Sequence, residues 1–224
     1  TSLALLPFLG AGQTHQAGIY KDNVAMGLRW LIQHQKEDGD LRHNLKDNSG
    51  MYAHGQGAIV LSEAYALTGD EQLRGPAQKA IDFIVEAQHP GGGWRYKPGE
   101  AGDTSVLGWQ LMALHSARVS GLHVPEPTVE LAANYLDTVQ SAGGAKYAYR
   151  RGTSPNAAMC AEGLLCRMYS GWDKQIPALE NGLELLLKNH KPQANQRNIY
   201  YWYYGTQVAH HIGGEPWEEW NNRM

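Results

Sequence analysis

Asp103 is the residue in this chain best placed to do chemistry. It stands directly before Thr104-Ser105-Val106-Leu107-Gly108-Trp109, an apolar stretch that reads as the start of a buried helix. A carboxylate there has two readings: an N-cap that accepts the backbone N–H bonds of the first turn, or an acid aimed into a cavity. Two further carboxylates, Glu63 and Glu162, fall within similar apolar stretches. Two of these three facing each other across a cleft, roughly 5–9.5 Å apart, would suit glycoside chemistry. His210-His211 resembles a metal pair, but neighbouring helical residues point about 100° apart and do not easily share an ion. His211 therefore reads as a packed or hydrogen-bonded residue. Cys160 and Cys166 are six positions apart on one predicted helix, a rise of about 9 Å, too far for a disulfide. They read as small core residues. The run Tyr200-Tyr201-Trp202-Tyr203-Tyr204 would put aromatic rings on every face of a helix. Some would enter the core and some would line a cavity.

The elements that must position these residues repeat. Gln35, Gln88 and Gln140 each close an apolar helix end, 53 and 52 residues apart, and each is soon followed by glycine: Gly39, Gly91 to Gly93, Gly143-Gly144. A degenerate copy ends at Asn189. Between them recurs a second element: residues 54–65, 104–117 and 156–169, with partial copies at the opening residues and at 200–212. The period of about 50 is typical of arrays and closed rings. The Gln-ending helices are amphipathic, with Ala77, Ala80/Ile81, Ile84/Val85 and Gln88 on one stripe. The other type is apolar or small nearly all round; residues 105–117 hold no Asp or Glu and no Lys or Arg. Alternation of the two predicts concentric layers, buried inner helices wrapped by outer ones. The glycines can take the left-handed position past each outer helix. Ser154-Pro155 reads as an N-cap with first-turn proline, and Asp103-Thr104 as another N-cap.

Composition narrows the function classes. The 224 residues are 42% apolar and 18% charged, a globular balance. A net charge of −3 argues against a general nucleic-acid binder. No apolar run approaches the roughly 20 residues of a membrane helix. Leu3-Ala4-Leu5-Leu6-Pro7-Phe8-Leu9 lacks the basic flank and cleavage pattern of a signal peptide. The opening at Thr1 rather than Met is the expected mark of a fragment of a longer protein or a processed product. Seven Trp and twelve Tyr against two Phe point to half-polar walls.

The repeat resembles that of the terpenoid-cyclase and protein-prenyltransferase superfamily, an α/α toroid. The family motif runs aromatic, Leu or Ile, three residues, Gln, a short gap, then Gly-x-Trp. Phe83-Ile84-Val85-Glu86-Ala87-Gln88 followed by Gly92-Gly93-Trp94 matches it closely. Trp30-Leu31, Gln35, Gly39 and Leu41 form a second match, and Tyr135-Leu136, Gln140 and Gly143-Gly144 a third. The resemblance implies an all-α fold: an α/α toroid of about five helical hairpins in inner and outer layers, near 1–40, 51–93, 103–144, 154–191 and 198–224. Six pairs would need about 300 residues to close the usual ring, so an incomplete ring in a single domain is expected. Family chemistry carries over poorly. Asp103-Thr104 resembles the end of the cyclases' Asp-x-Asp-Asp-Thr acid motif, but Gly102 stands at the proton donor's place. Aligned with the prenyltransferase zinc ligands, Asp103 matches, Ser105 replaces Cys and Asn156 replaces His. One ligand of three makes no zinc site, and no metal or cofactor is expected. The thioester Gly-Cys-Gly-Glu-Gln motif is absent.

Basic residues recur before the inner helices: Arg42, Lys46, Arg95, Lys97, Lys146, Arg150, Arg151 and Arg197, interleaved with Trp94, Tyr96, Tyr147 and Tyr149. In a toroid they share one mouth with the inner-helix N-termini. One reading is an anion-accepting, aromatic-edged opening. The other is solvated charge with cation–π contacts. The expected ligand-binding residues are Arg95, Tyr96, Lys97, Trp109, Tyr147, Tyr149, Arg150 and Arg151, with His54, Asn156 and Tyr204. The expected catalytic residue is Asp103. The expected function is a ligand- or protein-binding module for an acidic or isoprenoid-like amphiphile or an acidic protein segment, with self-association through an open ring edge. The alternatives are an isoprenoid enzyme using Asp103 and a carbohydrate-active toroid.

Overall fold

Charge-free stretches and one-sided apolar stripes both become helices. The computed structural model describes residues 1–45, 47–195 and 197–224; Lys46, one of the basic loop residues, lies outside them. Ten α-helices occur among the described residues. They are α1 (Ser2–Gly10), α2 (Lys21–Gln33), α3 (Gly50–Thr68), α4 (Glu71–Glu86), α5 (Thr104–Val119), α6 (Glu126–Val139), α7 (Ala157–Tyr169), α8 (Pro177–Asn189), α9 (Ile199–Ile212) and α10 (Gly214–Asn221). Between α6 and α7, β1 (Gln140–Ser141) pairs antiparallel with β2 (Lys146–Tyr147), Gln140 opposite Tyr147. The fold is all-α, and each interval expected to hold a hairpin holds two helices.

Burial separates α4 from α5, whereas α1 and α9, expected as copies of the buried type, each bury a single stripe. In α4 the buried residues are Leu73, Ala77, Ala80, Ile81, Phe83 and Ile84, a single stripe, while Lys79, Asp82 and Glu86 lie off it. Residues 103–114 are buried without a break. A helix with no side of its own to show water must be covered on all sides.

The chain divides into two compact units. The first comprises Thr1–Pro90, Trp94–Ala101 and Trp109–Val129. In it α1 packs on α2 and α3, and α3 packs on α4. The Trp109–Val119 part of α5 lies along α3. There Gln110 Nε2 donates to the Met51 carbonyl at 3.0 Å and Ser116 Oγ donates to Glu63 Oε1 at 2.6 Å. Gly55 permits the approach, since a Cβ on it would come within 2.9 Å of Gln110 Nε2.

Two of the repeated glutamines are hooks between amphipathic helices. Gln35 Nε2 donates to the Pro76 carbonyl of α4 at 2.9 Å. Gln88 Nε2 donates to the Thr128 carbonyl of α6 at 2.9 Å. Each joins a helix end to a carbonyl in the first half of the next amphipathic helix, 41 and 40 residues on. Gly39, at φ 90°, sits so tightly on α4 that a Cβ would fall 2.0 Å from the Lys79 carbonyl oxygen. Gln140 departs from the pattern. It lies in β1 and donates to Asp137 Oδ1 at 3.3 Å, so its reach ends within its own turn.

The second unit comprises Gly91–Gly93, Gly102–Gly108 and Glu130–Met224. Here α7 packs on α8 and α9, and α10 on α8 and α9. Gly92, at φ 88°, repeats the device of Gly39, its missing Cβ only 1.9 Å from the Leu131 carbonyl oxygen of α6. Gly163 receives the Tyr147 ring, and Gly205 the Trp220 ring. Arg167 is buried on α7. Its Nε donates to the Tyr147 hydroxyl at 3.1 Å, its Nη1 donates to the Ala133 carbonyl at 3.2 Å, and it pairs with Asp137. One expectation is corrected. The cap of α7 is Asn156, whose Oδ1 accepts from Met159 N at 3.0 Å, not Ser154. Pro155 instead bridges to Ala148, and Asn156 after it is still extended at φ −140° and ψ 164°, which delays the helix.

Candidate functional site

Asp103 is fully buried and caps α5. Its Oδ1 accepts from Val106 N at 2.9 Å and from Ser105 Oγ at 2.8 Å, and its Oδ2 accepts from the Tyr149 hydroxyl at 2.8 Å. Thr104 fixes the same junction by donating its hydroxyl to the Ala148 carbonyl at 2.7 Å. The capping reading of Asp103 is therefore realised, with both oxygens engaged.

Glu162 of α7 lies in the same unit and is 0% exposed. Its Oε2 accepts from the Tyr200 hydroxyl of α9 at 2.9 Å. Its Oε1 rests against Gly108, where a Cβ would fall 2.0 Å away. Oε1 closes no hydrogen bond of good geometry, although the Tyr204 hydroxyl lies near enough to favour the charged form. Burial lifts the Glu162 carboxyl well above the usual range; Tyr200 and Tyr204 oppose the rise and the Asp103 charge adds to it. Tyr204 is likewise buried, its ring 5.1 Å from those of Tyr200 and Tyr203, and burial pushes its hydroxyl far up. The cluster thus places, among tyrosines, a carboxyl engaged by three donors in the same unit as a buried one that burial pushes toward its protonated form. Sequence alone marked Glu162 as a carboxylate candidate but could not mark Tyr200, 38 residues away, as its partner.

Other expected residues serve the structure. His54 is fully buried, its Nδ1 accepting from Leu41 N at 3.1 Å and its Nε2 donating to the Ala80 carbonyl at 2.9 Å. Desolvation lowers its pKa to about 4, so the ring is neutral. Trp109 is 5% exposed and Tyr147 0%. Glu63 lies in the first unit, where its Oε1 accepts from Ser116 Oγ at 2.6 Å. His211 makes an edge contact with Tyr169 at 5.8 Å. Cys160 and Cys166 are buried free thiols.

The basic loops divide. Arg95 pairs with Glu100 at 3.1 Å and lies over the Tyr96 ring at 4.8 Å. Arg42 pairs with Asp40 at 2.9 Å and lies over Phe83 at 5.1 Å. Arg150 lies over Tyr149 at 5.5 Å. Lys97, Arg151 and Lys146 are exposed and have no acidic partner among the described residues.

Lys146 and Asn156 meet at a crevice that the sequence did not reveal. It is a partly enclosed space of about 220 Å³ between the start of α7 and the end of α8. Lys146, Asn156, Asn189 and His190 line its polar side. Cys160, Leu185 and Leu186 line its apolar side. The Cys160 thiol is raised by burial, while the Tyr147 N–H bond and the Lys146 charge pull it back. Residues from 146 to 190 converge here only because α7 and α8 fold back on each other.

No protein-family model matches the chain, and no curated protein matches its sequence.

Proposed function

We propose that the chain is a helical-repeat binding module of the α/α-toroid kind, with inner helices such as α5 enclosed by outer ones such as α4, and that it does not act as an enzyme through Asp103. The observation carrying this reading is the coordination of Asp103: three donors occupy its two oxygens, and all three serve the start of α5 and the loop around Tyr149. A proton donor for alkene chemistry must be free to reach substrate. A buried cap with both oxygens engaged is not. The ligand class is an acidic amphiphile or an acidic protein segment, taken up in the second unit where cationic side chains lack acidic partners among the described residues: Lys146 and Arg151.

The test is to purify the chain, extract bound small molecules and read them by mass spectrometry. Incubation with squalene and with prenyl diphosphates completes it. A co-purified acidic amphiphile and no turnover are expected. Turnover that is abolished in Asp103→Asn would overturn the proposal.

A second reading rests on Glu162. A buried carboxyl whose surroundings raise its pKa is the environment that general acids use. It predicts turnover lost in Glu162→Gln but kept in Asp103→Asn.

A further inference from the structure

We propose that the crevice between α7 and α8 binds a small monocarboxylate with a short aliphatic chain. The inference rests on the binding-module reading and names its ligand at one place.

The charges at the wall fix the head group. Lys146 is exposed, has no acidic partner among the described residues, and sits close enough to act electrostatically on the Cys160 thiol at the crevice wall. His190 and the Asn156 amide add polar donors. Asn156 Oδ1 is already taken by Met159 N, so its NH₂ remains to donate. No carboxylate side chain lines the crevice among the described residues. One lysine suits one negative charge. A diphosphate carries two or three, and the planar guanidinium fork that grips phosphate bidentately does not line this wall.

The volume fixes the tail. About 220 Å³ lies below the ~300–1,000 Å³ of sites for drug-sized ligands. A space of this size suits a carboxylate head with a chain of about four or five carbons against Leu185, Leu186 and the Cys160 thiol. The single lysine disfavours an isoprenoid diphosphate in this crevice while keeping the acidic-amphiphile class.

The experiment is an NMR titration of the ¹⁵N-labelled chain with propionate, butyrate, pentanoate, hexanoate and octanoate. Saturable shifts are expected at residues bordering the crevice. Affinity should rise about fourfold per added methylene and level off near hexanoate, where the space is full. Lys146→Gln should weaken hexanoate binding about tenfold or more, as loss of a charge-assisted hydrogen bond does. Ala157→Leu should block the crevice without touching the charge. Equal binding of hexylammonium, unchanged affinity in Lys146→Gln, or shifts spread over other surfaces would each overturn the proposal. If the crevice fails while mass spectrometry finds an acidic ligand bound elsewhere, the binding-module reading survives and this inference does not.

Discussion

Replacing Glu162 by glutamine should change how stability depends on pH. Glu162 is 0% exposed, and burial holds its carboxyl well above the usual range against the opposing pull of the Tyr200 and Tyr204 hydroxyls. In the unfolded chain the same carboxyl titrates near its ordinary value of 4.5. Between these two values the folded chain holds a proton that the unfolded chain has released. Stability is then fully present below pH 4.5 and falls as pH rises toward the folded-state value. The slope is about 1.4 kcal/mol per pH unit. In a chain of this size that is roughly 3–5 °C of Tm per unit. The Glu162→Gln side chain has the same shape but no such proton. Its amide adds a constant offset, whatever the pH, because the side facing Gly108 has little room for a donor. Urea unfolding of both proteins, followed by far-ultraviolet circular dichroism from pH 4 to pH 8, separates slope from offset. The stability difference between the two should move in favour of the Glu162→Gln variant as pH rises above 4.5, and level off once the folded-state value is passed. Parallel curves would refute the reasoning, because they would mean that Glu162 ionises alike in both states.

Three further outcomes are expected. His54 works in the opposite direction: its folded-state value near 4 lies below the ordinary 6.5, so stability is present above pH 6.5 and falls as pH drops toward 4. The loss is about 3 kcal/mol in all, and His54→Gln should flatten that limb of the same urea series. Gly92→Ala should cost about 3 kcal/mol through a strained φ of 88° and a Cβ set 1.9 Å from a carbonyl oxygen. Gly121→Ala, at φ 77° with nothing within 4 Å, should cost about 1 kcal/mol of strain alone, so equal thermal shifts would discredit the packing argument. Asp103→Ala should destabilise by about 2 kcal/mol and Asp103→Asn by less than half of that, since Asn retains the capping oxygen; calorimetry showing no difference between them would count against the cap.

The sequence made the helices readable and left their long-range partners hidden. The charge-free run of 105–117 forced a helix buried on all sides, and the stripe of Ala77, Ala80, Ile81 and Ile84 forced a one-sided one. Both are local patterns. Asp103 was legible as a cap because capping acts within three residues. The start of α7 was misread because Ser154-Pro155 carries the right local chemistry; the bridge from Pro155 to Ala148 that delays the helix depends on the β1–β2 turn. The spacing of Gln35 and Gln88 was visible, but not that both reach a backbone carbonyl about forty residues on. Arg167 gave no sign of burial, since its partners Ala133, Asp137 and Tyr147 lie 20 to 34 residues away in sequence. The α7–α8 crevice was out of reach for the same reason.

The glutamine hooks have a further consequence. Gln35 and Gln88 grip peptide oxygens, not side chains, so the residue being gripped is free to vary: it is Pro76 in one case and Thr128 in the other. A newly copied hairpin would meet a ready acceptor in whatever neighbour it joined. Lengthening or shortening such an array would require no matched pair of changes at that seam, which makes the linkage between units portable from one segment to the next.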